Sequence, residues 1–162
     1  MSDPGPTDQN RDEMTDEELL AVAIAEARVG QAEGGIPIGA ALAHRGRVLG
    51  VGHNRRMQMG SVIRHGETDC LENVGRLPAA VHAEATMATT LSPCDMCTGA
   101  ILLYGIARVV VGENQTFYGG EDLLRSRGVE VVVLDSAECK DLMESFIAAN
   151  PEVWNEDIGE LF

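Results

Sequence analysis

The sequence predicts an α/β fold, a three-layer α/β/α sandwich built on a central five-stranded mixed sheet. Three observations lead there. Two short apolar runs, 37–43 and 47–52, flank the tight turn His44-Arg45-Gly46, which is a hairpin pattern. Three further apolar runs, 85–91, 107–112 and 129–134, alternate with stretches of helical periodicity, the alternation that places helices over a sheet. No internal repeat and no linker interrupts the 162 residues, a length suited to one domain with its own core.

Residues 1–14 are rich in Asp, Pro, Gly and Asn and read as a flexible acidic tail; residues 15–162 read as the single folded domain. Thr15-Asp16-Glu17-Glu18 is a capping box opening a helix. Its apolar stripe is Leu19, Leu20, Val22, Ala23 and Ala27, and Gly34-Gly35 closes it. The hairpin follows. A polar loop, 54–64, leads into a helix from about His65 to Gly75. A strand over 85–91 precedes a helix from Pro93 or Cys94 to about Tyr104. The β-branched run at 107–112 reads as a buried strand. A short helix near 121–127, a strand at 129–134, a long amphipathic helix over 136–149 and a last helix after Pro151 complete the chain. The first two strands form a hairpin, and the later ones arrive by right-handed helical crossovers.

Charge excludes more than size does. Twelve basic residues stand against 26 acidic ones, a net charge of −14, and Arg55-Arg56 is the longest basic run. A protein that grips a phosphate backbone needs clustered Lys and Arg, so a small neutral substrate is expected and nucleic acid is not. No apolar run approaches the ~18 residues that span a bilayer. The first residues lack the basic start and apolar stretch of a secretory signal. With only four cysteines, a reducing compartment, the cytoplasm, is the expectation.

Residues 92–97 read Ser-Pro-Cys-Asp-Met-Cys, and His65-Gly66-Glu67 begins 29 positions before the first thiol. One imidazole and two thiolates, His65, Cys94 and Cys97, suit Zn²⁺ and leave its fourth tetrahedral position open. Glu67 can then handle protons there. Three ligands and an acid describe a catalytic site. Both thiols fall on the first turn of a helix, where unsatisfied N–H groups and the helix dipole favour the thiolate.

A lone CxxC is also half of many structural zinc sites, or a redox pair. Cys70 and Cys139, the other thiols, stand in helical apolar surroundings and read as buried. A redox pair would leave His65-Gly66-Glu67 without a purpose. The nearer pair, His82-Ala83-Glu84, is set aside because only nine residues separate Glu84 from Cys94. Those residues already form a strand, leaving no room for a helix bearing the histidine, so His82 is expected to be exposed where the strand begins.

With this spacing the chain resembles the fungal-type cytosine deaminases of the cytidine deaminase superfamily, over roughly residues 15–160. The resemblance rests on Gly34-Gly35-Ile36-Pro37-Ile38-Gly39, Gly52-His53-Asn54, His65-Gly66-Glu67, the stretch Thr89 to Ile101, Val111-Gly112-Glu113-Asn114, and the ending Trp154, Glu156 to Glu160. It implies the cytidine deaminase-like fold and hydrolytic deamination of cytosine to uracil and ammonia, a step of pyrimidine salvage. His65, Cys94 and Cys97 would hold one Zn²⁺ per subunit with a catalytic water, Glu67 would shuttle protons, and no organic cofactor is implied. Asn54 would bind the pyrimidine edge, the Gly66 N–H would approach the substrate carbonyl, and Asp157 would receive the exocyclic amine. Phe117 and Trp154 would sandwich or gate the ring, Ile38 would line the floor, the C-terminal helix would be a lid, and the subunits would pair as a homodimer.

There are departures. Phe117-Tyr118-Gly119-Gly120 is shorter and less basic than the family's stretch, Met57 stands where an aromatic is expected, and 80–85 diverges. The alternatives are deamination of isocytosine, guanine or creatinine, deamination of a tRNA adenosine, or a non-catalytic protein that uses zinc for folding.

Overall fold

Thr15 opens the first helix as its capping box requires. Its hydroxyl accepts from the Glu18 N–H at 3.1 Å, and the Glu18 carboxylate accepts from the Thr15 N–H at 2.9 Å. This helix, α1 (Asp16–Ala32), buries Leu19, Leu20, Ala23 and Ala27 against the sheet. The hairpin strands β1 (Gly39–His44) and β2 (Arg47–His53) turn through Arg45 and Gly46, at φ 50 and 73. Two left-handed residues give a turn the twist that antiparallel strands need.

The chain then forms α2 (Arg56–Met59), α3 (Gly66–Val74), α4 (Ala79–Ala83), β3 (Ala85–Leu91) and α5 (Asp95–Tyr104). It ends with β4 (Arg108–Glu113), α6 (Glu121–Ser126), β5 (Glu130–Val133), α7 (Ala137–Ala149) and α8 (Pro151–Asp157). The computed structural model describes residues 13–161. Most of the expected tail, 1–12, lies outside the described residues. Met14, counted with that tail, is half-buried and packs beside α1, so the ordered packing starts just ahead of Thr15. The helices α2 and α4 were not expected; at four and five residues they are too short to show a period.

The strands lie in the order β2-β1-β3-β4-β5, with β1 antiparallel to both β2 and β3 and the last three parallel. Successive residues point to opposite faces. Ala40, Leu42, Met87, Val109 and Val111 pack with Cys70, Ile101 and Leu124 on the face covered by α3, α5 and α6. Ala41, Ala43, Ala88 and Val110 pack with Leu19, Leu20, Ala23 and Cys139 on the face covered by α1 and α7. The three layers and the five-stranded mixed sheet are those expected.

Two glycines set how closely the helices approach. A Cβ at Gly39 would stand 2.1 Å from the Ala23 carbonyl oxygen of α1, and one at Gly52 would stand 2.2 Å from the Cys70 nitrogen of α3. One end of the sheet gathers the start of β1 and the ends of β2, β3 and β4, since Gly39 pairs with His53, Ala40 with Thr89 and Leu91 with Glu113. The N-termini of α3 and α5 open at that end. Among the described residues no helix is long and apolar enough to cross a membrane.

Candidate active site

His65 is the N-cap of α3, which makes Gly66 and Glu67 its first two helical residues. Cys94 is the N-cap of α5, and Cys97 lies on that helix's first turn. Pro93 therefore precedes the cap, and Cys94 stands one residue ahead of the first turn on which the sequence places both thiols. Thr68 fixes the entrance to α3, accepting from the His65 N–H at 2.9 Å and donating to the Ile63 carbonyl. The two helix starts thus converge from separate connections.

Their donor atoms form one group: a ring nitrogen of His65 and the sulfurs of Cys94 and Cys97 lie within 4.8 Å of one another. A tetrahedral zinc ion at ordinary bond lengths holds an imidazole nitrogen and a thiolate roughly 3.5 Å apart. His65 Nδ1 and Cys94 Sγ are 3.4 Å apart, so the spacing fits the ion. The other ring nitrogen, Nε2, faces Asp157 Oδ1 at 3.2 Å, the carboxylate partner that commonly orients a metal-binding histidine.

Burial and close partners shift the groups of the site in opposite directions. Against the cost of burial, hydrogen bonding to Asp157 and Cys94 raises His65 to about 10. The hydrogen bond from Cys97, joined by His65 and opposed by burial, brings Cys94 down to about 4. Glu67 is almost wholly buried, and burial, reinforced by the charge on Cys94, pushes its carboxyl above the usual range. The Thr89 hydroxyl faces Glu67 Oε1 at 2.5 Å. For Asp157, burial is outweighed by His65 and Arg56, which hold its carboxyl below the usual range.

A cleft opens over this group, lined by Ile38, His65, Glu67, Cys94, Phe117, Trp154 and Asp157, seven residues singled out in the sequence. Leu91, Ser92 and Ile158 share the wall and were not anticipated. Cys97, Asn54 and Gly66 stand behind the wall. Asn54 is fully buried; its Nδ2 donates to Asp157 Oδ2 at 3.1 Å, and its Oδ1 accepts from the Arg56 N–H at 3.0 Å. A Cβ on Gly66 would meet Ile38 and Gly39 at 3.3 Å. Phe117 and Trp154 meet edge to face at 86°, with ring centroids 5.9 Å apart, so the two rings are not parallel plates.

The loop carrying Phe117 is held by two buried glutamates. Glu113 accepts from the Gln115 and Thr116 N–H groups at 2.7 and 3.0 Å. Glu121 accepts from Ser92 Oγ at 2.7 Å, and Ser92 Oγ in turn accepts from the Gly119 N–H at 3.0 Å. Beside the site, His53 is buried with its two ring nitrogens 2.6 Å from Glu26 and Glu33 of the α1 end. His82 departs from expectation. It lies on α4, buried against Tyr104 with ring centroids 5.4 Å apart, because a five-residue helix does fit before β3. It remains apart from the metal-binding group, and Glu84 pairs with His44 and Arg45. Cys70 and Cys139 are buried free thiols, as expected.

The profile of the cytidine and deoxycytidylate deaminase zinc-binding region matches residues 13–113. The chain belongs to that deaminase family. It is 56% identical over 146 residues to the cytosine deaminase of Candida albicans, covering 90% of this chain and 97% of that one. In structure it resembles a tRNA:A34 deaminase, with a TM-score of 0.65 at 26% identity, covering 78% of this chain and 99% of the other. It also shares the fold of the guanine deaminase from Nitrosomonas europaea, with a TM-score of 0.65 at 21% identity, over 85% of this chain and 87% of that one. The deaminase family and the zinc-binding region that its profile describes agree with the residues gathered at the cleft.

Proposed function

We propose that this deaminase converts free cytosine to uracil and ammonia. The observation that carries the reading is a small cleft lined by Glu67, His65, Cys94 and Asp157, with Cys97 completing the metal-binding group behind its wall and Asn54 bonded to Asp157. The near full-length likeness to a cytosine deaminase supports the same substrate.

His65, Cys94 and Cys97 would hold one zinc per chain. The bound ion supplies Lewis-acid activation of a water at neutral pH. Glu67 would take a proton from the attacking water and deliver it to ring N3 as the new C4–O bond forms. It then carries the second water proton to the exocyclic nitrogen, the C4–N bond breaks, ammonia leaves and the 4-keto ring of uracil remains. Burial holds the Glu67 carboxyl above its usual range, the direction that suits a group that must both accept and return protons. Asn54 and Asp157 fix the polar edge of the ring, the Gly66 N–H serves its carbonyl, and Ile38, Phe117 and Trp154 enclose its faces. α8 acts as the lid of a single domain spanning 15–162.

The excess of acidic residues favours a neutral base over a nucleic acid, and cytoplasmic pyrimidine salvage is the setting that suits it. An apolar groove between α3, α4 and α5, with Ile63, Leu103 and Tyr104 exposed along it, supports a homodimer through this face. An ammonia-release screen over cytosine, isocytosine, guanine, adenine, creatinine and cytidine tests the substrate. Cytosine is expected to be turned over fastest; preference for another ring overturns the assignment.

A further inference from the structure

α8 brings Asp157 to the cleft, yet its polar attachment comes from one stretch of chain. Among the described residues, the hydrogen bonds and ion pairs of α8 side chains run to Asn54, Arg56 and His65. Arg56 contributes most. Its Nε donates to Asp157 Oδ1 at 2.7 Å, and its Nη1 donates to Glu156 Oε1 at 3.1 Å. The Arg56 and Asp157 side chains are only 11% and 1% exposed, so little water competes for their contact, whereas Glu156 is exposed.

A carboxylate oxygen offers two lone-pair positions. Asp157 Oδ1 accepts from Arg56 Nε and is crowded on its other side by the ion pair with His65 Nε2 at 3.2 Å. Oδ2 spends one, on Asn54 Nδ2. The acceptor position left for a ligand is therefore on Oδ2, next to the Asn54 amide. Arg56 also sets that amide, since its backbone N–H donates to Asn54 Oδ1 and so turns Nδ2 towards Asp157. Arg56 thus holds one polar residue by its backbone and the other by its guanidinium.

We propose that Arg56 is a positioning residue for substrate recognition, orienting Asn54 and Asp157 as one unit and leaving Asp157 Oδ2 open to the ring. It acts through these two residues and does not line the cleft. The proposal deepens the cytosine reading and rests on it. A guanidinium forked across two carboxylates gives direction that a lysine's point charge does not.

The test is steady-state kinetics on the zinc-loaded protein with cytosine. Arg56→Gln is expected to lower kcat/KM roughly 10- to 100-fold, as loss of a charge-assisted hydrogen bond would. The loss should fall on KM, with kcat within about threefold. In a double-mutant cycle, adding Arg56→Gln to Asp157→Asn should cost under about threefold, because the group it orients is already altered. Glu156→Gln, which cuts only the outer contact, should change kcat/KM by less than about threefold. Arg56→Lys guards against a folding failure and should lose roughly threefold to tenfold.

Wild-type kinetics in a folded Arg56→Gln or Arg56→Lys, full additivity with Asp157→Asn, or an equal loss in Glu156→Gln would each overturn the role of Arg56. If the wild type does not deaminate cytosine, the functional reading itself fails. If it does and only the variants disagree, the fault lies with the role given to Arg56.

Discussion

Replacing Thr89 with valine removes a single hydrogen-bond donor from the interior of the site. The Thr89 hydroxyl lies 2.5 Å from Glu67 Oε1 and 3.0 Å from the Leu91 carbonyl oxygen. It has one hydrogen, and an ionised carboxylate holds a donor roughly twice as strongly as a neutral carbonyl does. Thr89 is fully buried and Glu67 nearly so, which leaves no water to replace the lost donor. Valine matches threonine in shape, so little of the effect should come from a cavity. A hydrogen bond to a charged group contributes about 1.5–3 kcal/mol, or roughly 10- to 150-fold if all of it bears on the transition state. Thr89 does not line the cleft. The loss should therefore appear in kcat, by roughly 10- to 100-fold, with KM within about threefold. Zinc content should be unchanged, and Thr89→Ser should restore most of the rate. A valine variant with wild-type kcat, or a loss carried by KM, or a serine variant that rescues nothing, would refute the view that this hydroxyl holds Glu67 in place.

Three other outcomes follow from the same structure. Chelation of the metal should abolish turnover, and added zinc should restore it; activity that persists in metal-free protein, checked by metal analysis, would remove the ligand assignment. Gly52→Ala forces a Cβ to 2.2 Å from the Cys70 nitrogen; backbone has to move, and a loss of about 3 kcal/mol in denaturant melts is expected. Arg108 donates to both carboxylate oxygens of Asp16, one of them at 2.7 Å, and holds its carboxyl below the usual range, with burial opposing. Asp16→Asn should therefore cost about 1 kcal/mol near neutral pH, after allowance for partial exposure. Because the folded-state value is depressed, that contribution is present above the ordinary aspartate range and disappears as pH falls through the folded value. Thermal melts of the two proteins should thus differ at pH 7 and converge in strong acid.

The parts of this molecule that were legible in the sequence are those written in local patterns. Thr15 and Glu18 announce the cap of α1, the turn at 44–46 announces the hairpin, and apolar runs alternating with helical stretches announce the three parallel strands. The spacing of His65, Glu67, Cys94 and Cys97 pointed to one site because each pair sits at a helix start, and helix starts collect at one end of such a sheet. What stayed hidden depends on partners distant in the chain. Arg56 read as half of a short basic run, yet its guanidinium is held by carboxylates 100 and 101 positions away. Glu113 and Glu121 are acids of a type that normally faces water, and only the folded loop shows them buried and satisfied by Thr116, Gln115 and Ser92. The argument against His82 failed in its premise, since α4 fits into five residues, although the histidine does stay clear of the metal-binding group.

The account turns on Glu67 moving protons at a site that His65, Cys94 and Cys97 build without it. The most direct measurement is the rate of uracil formation from cytosine by Glu67→Gln, made on protein whose zinc content has been determined. The account predicts zinc bound as in the wild type and turnover reduced about a thousandfold. Zinc-replete Glu67→Gln that forms uracil at the wild-type rate would contradict it.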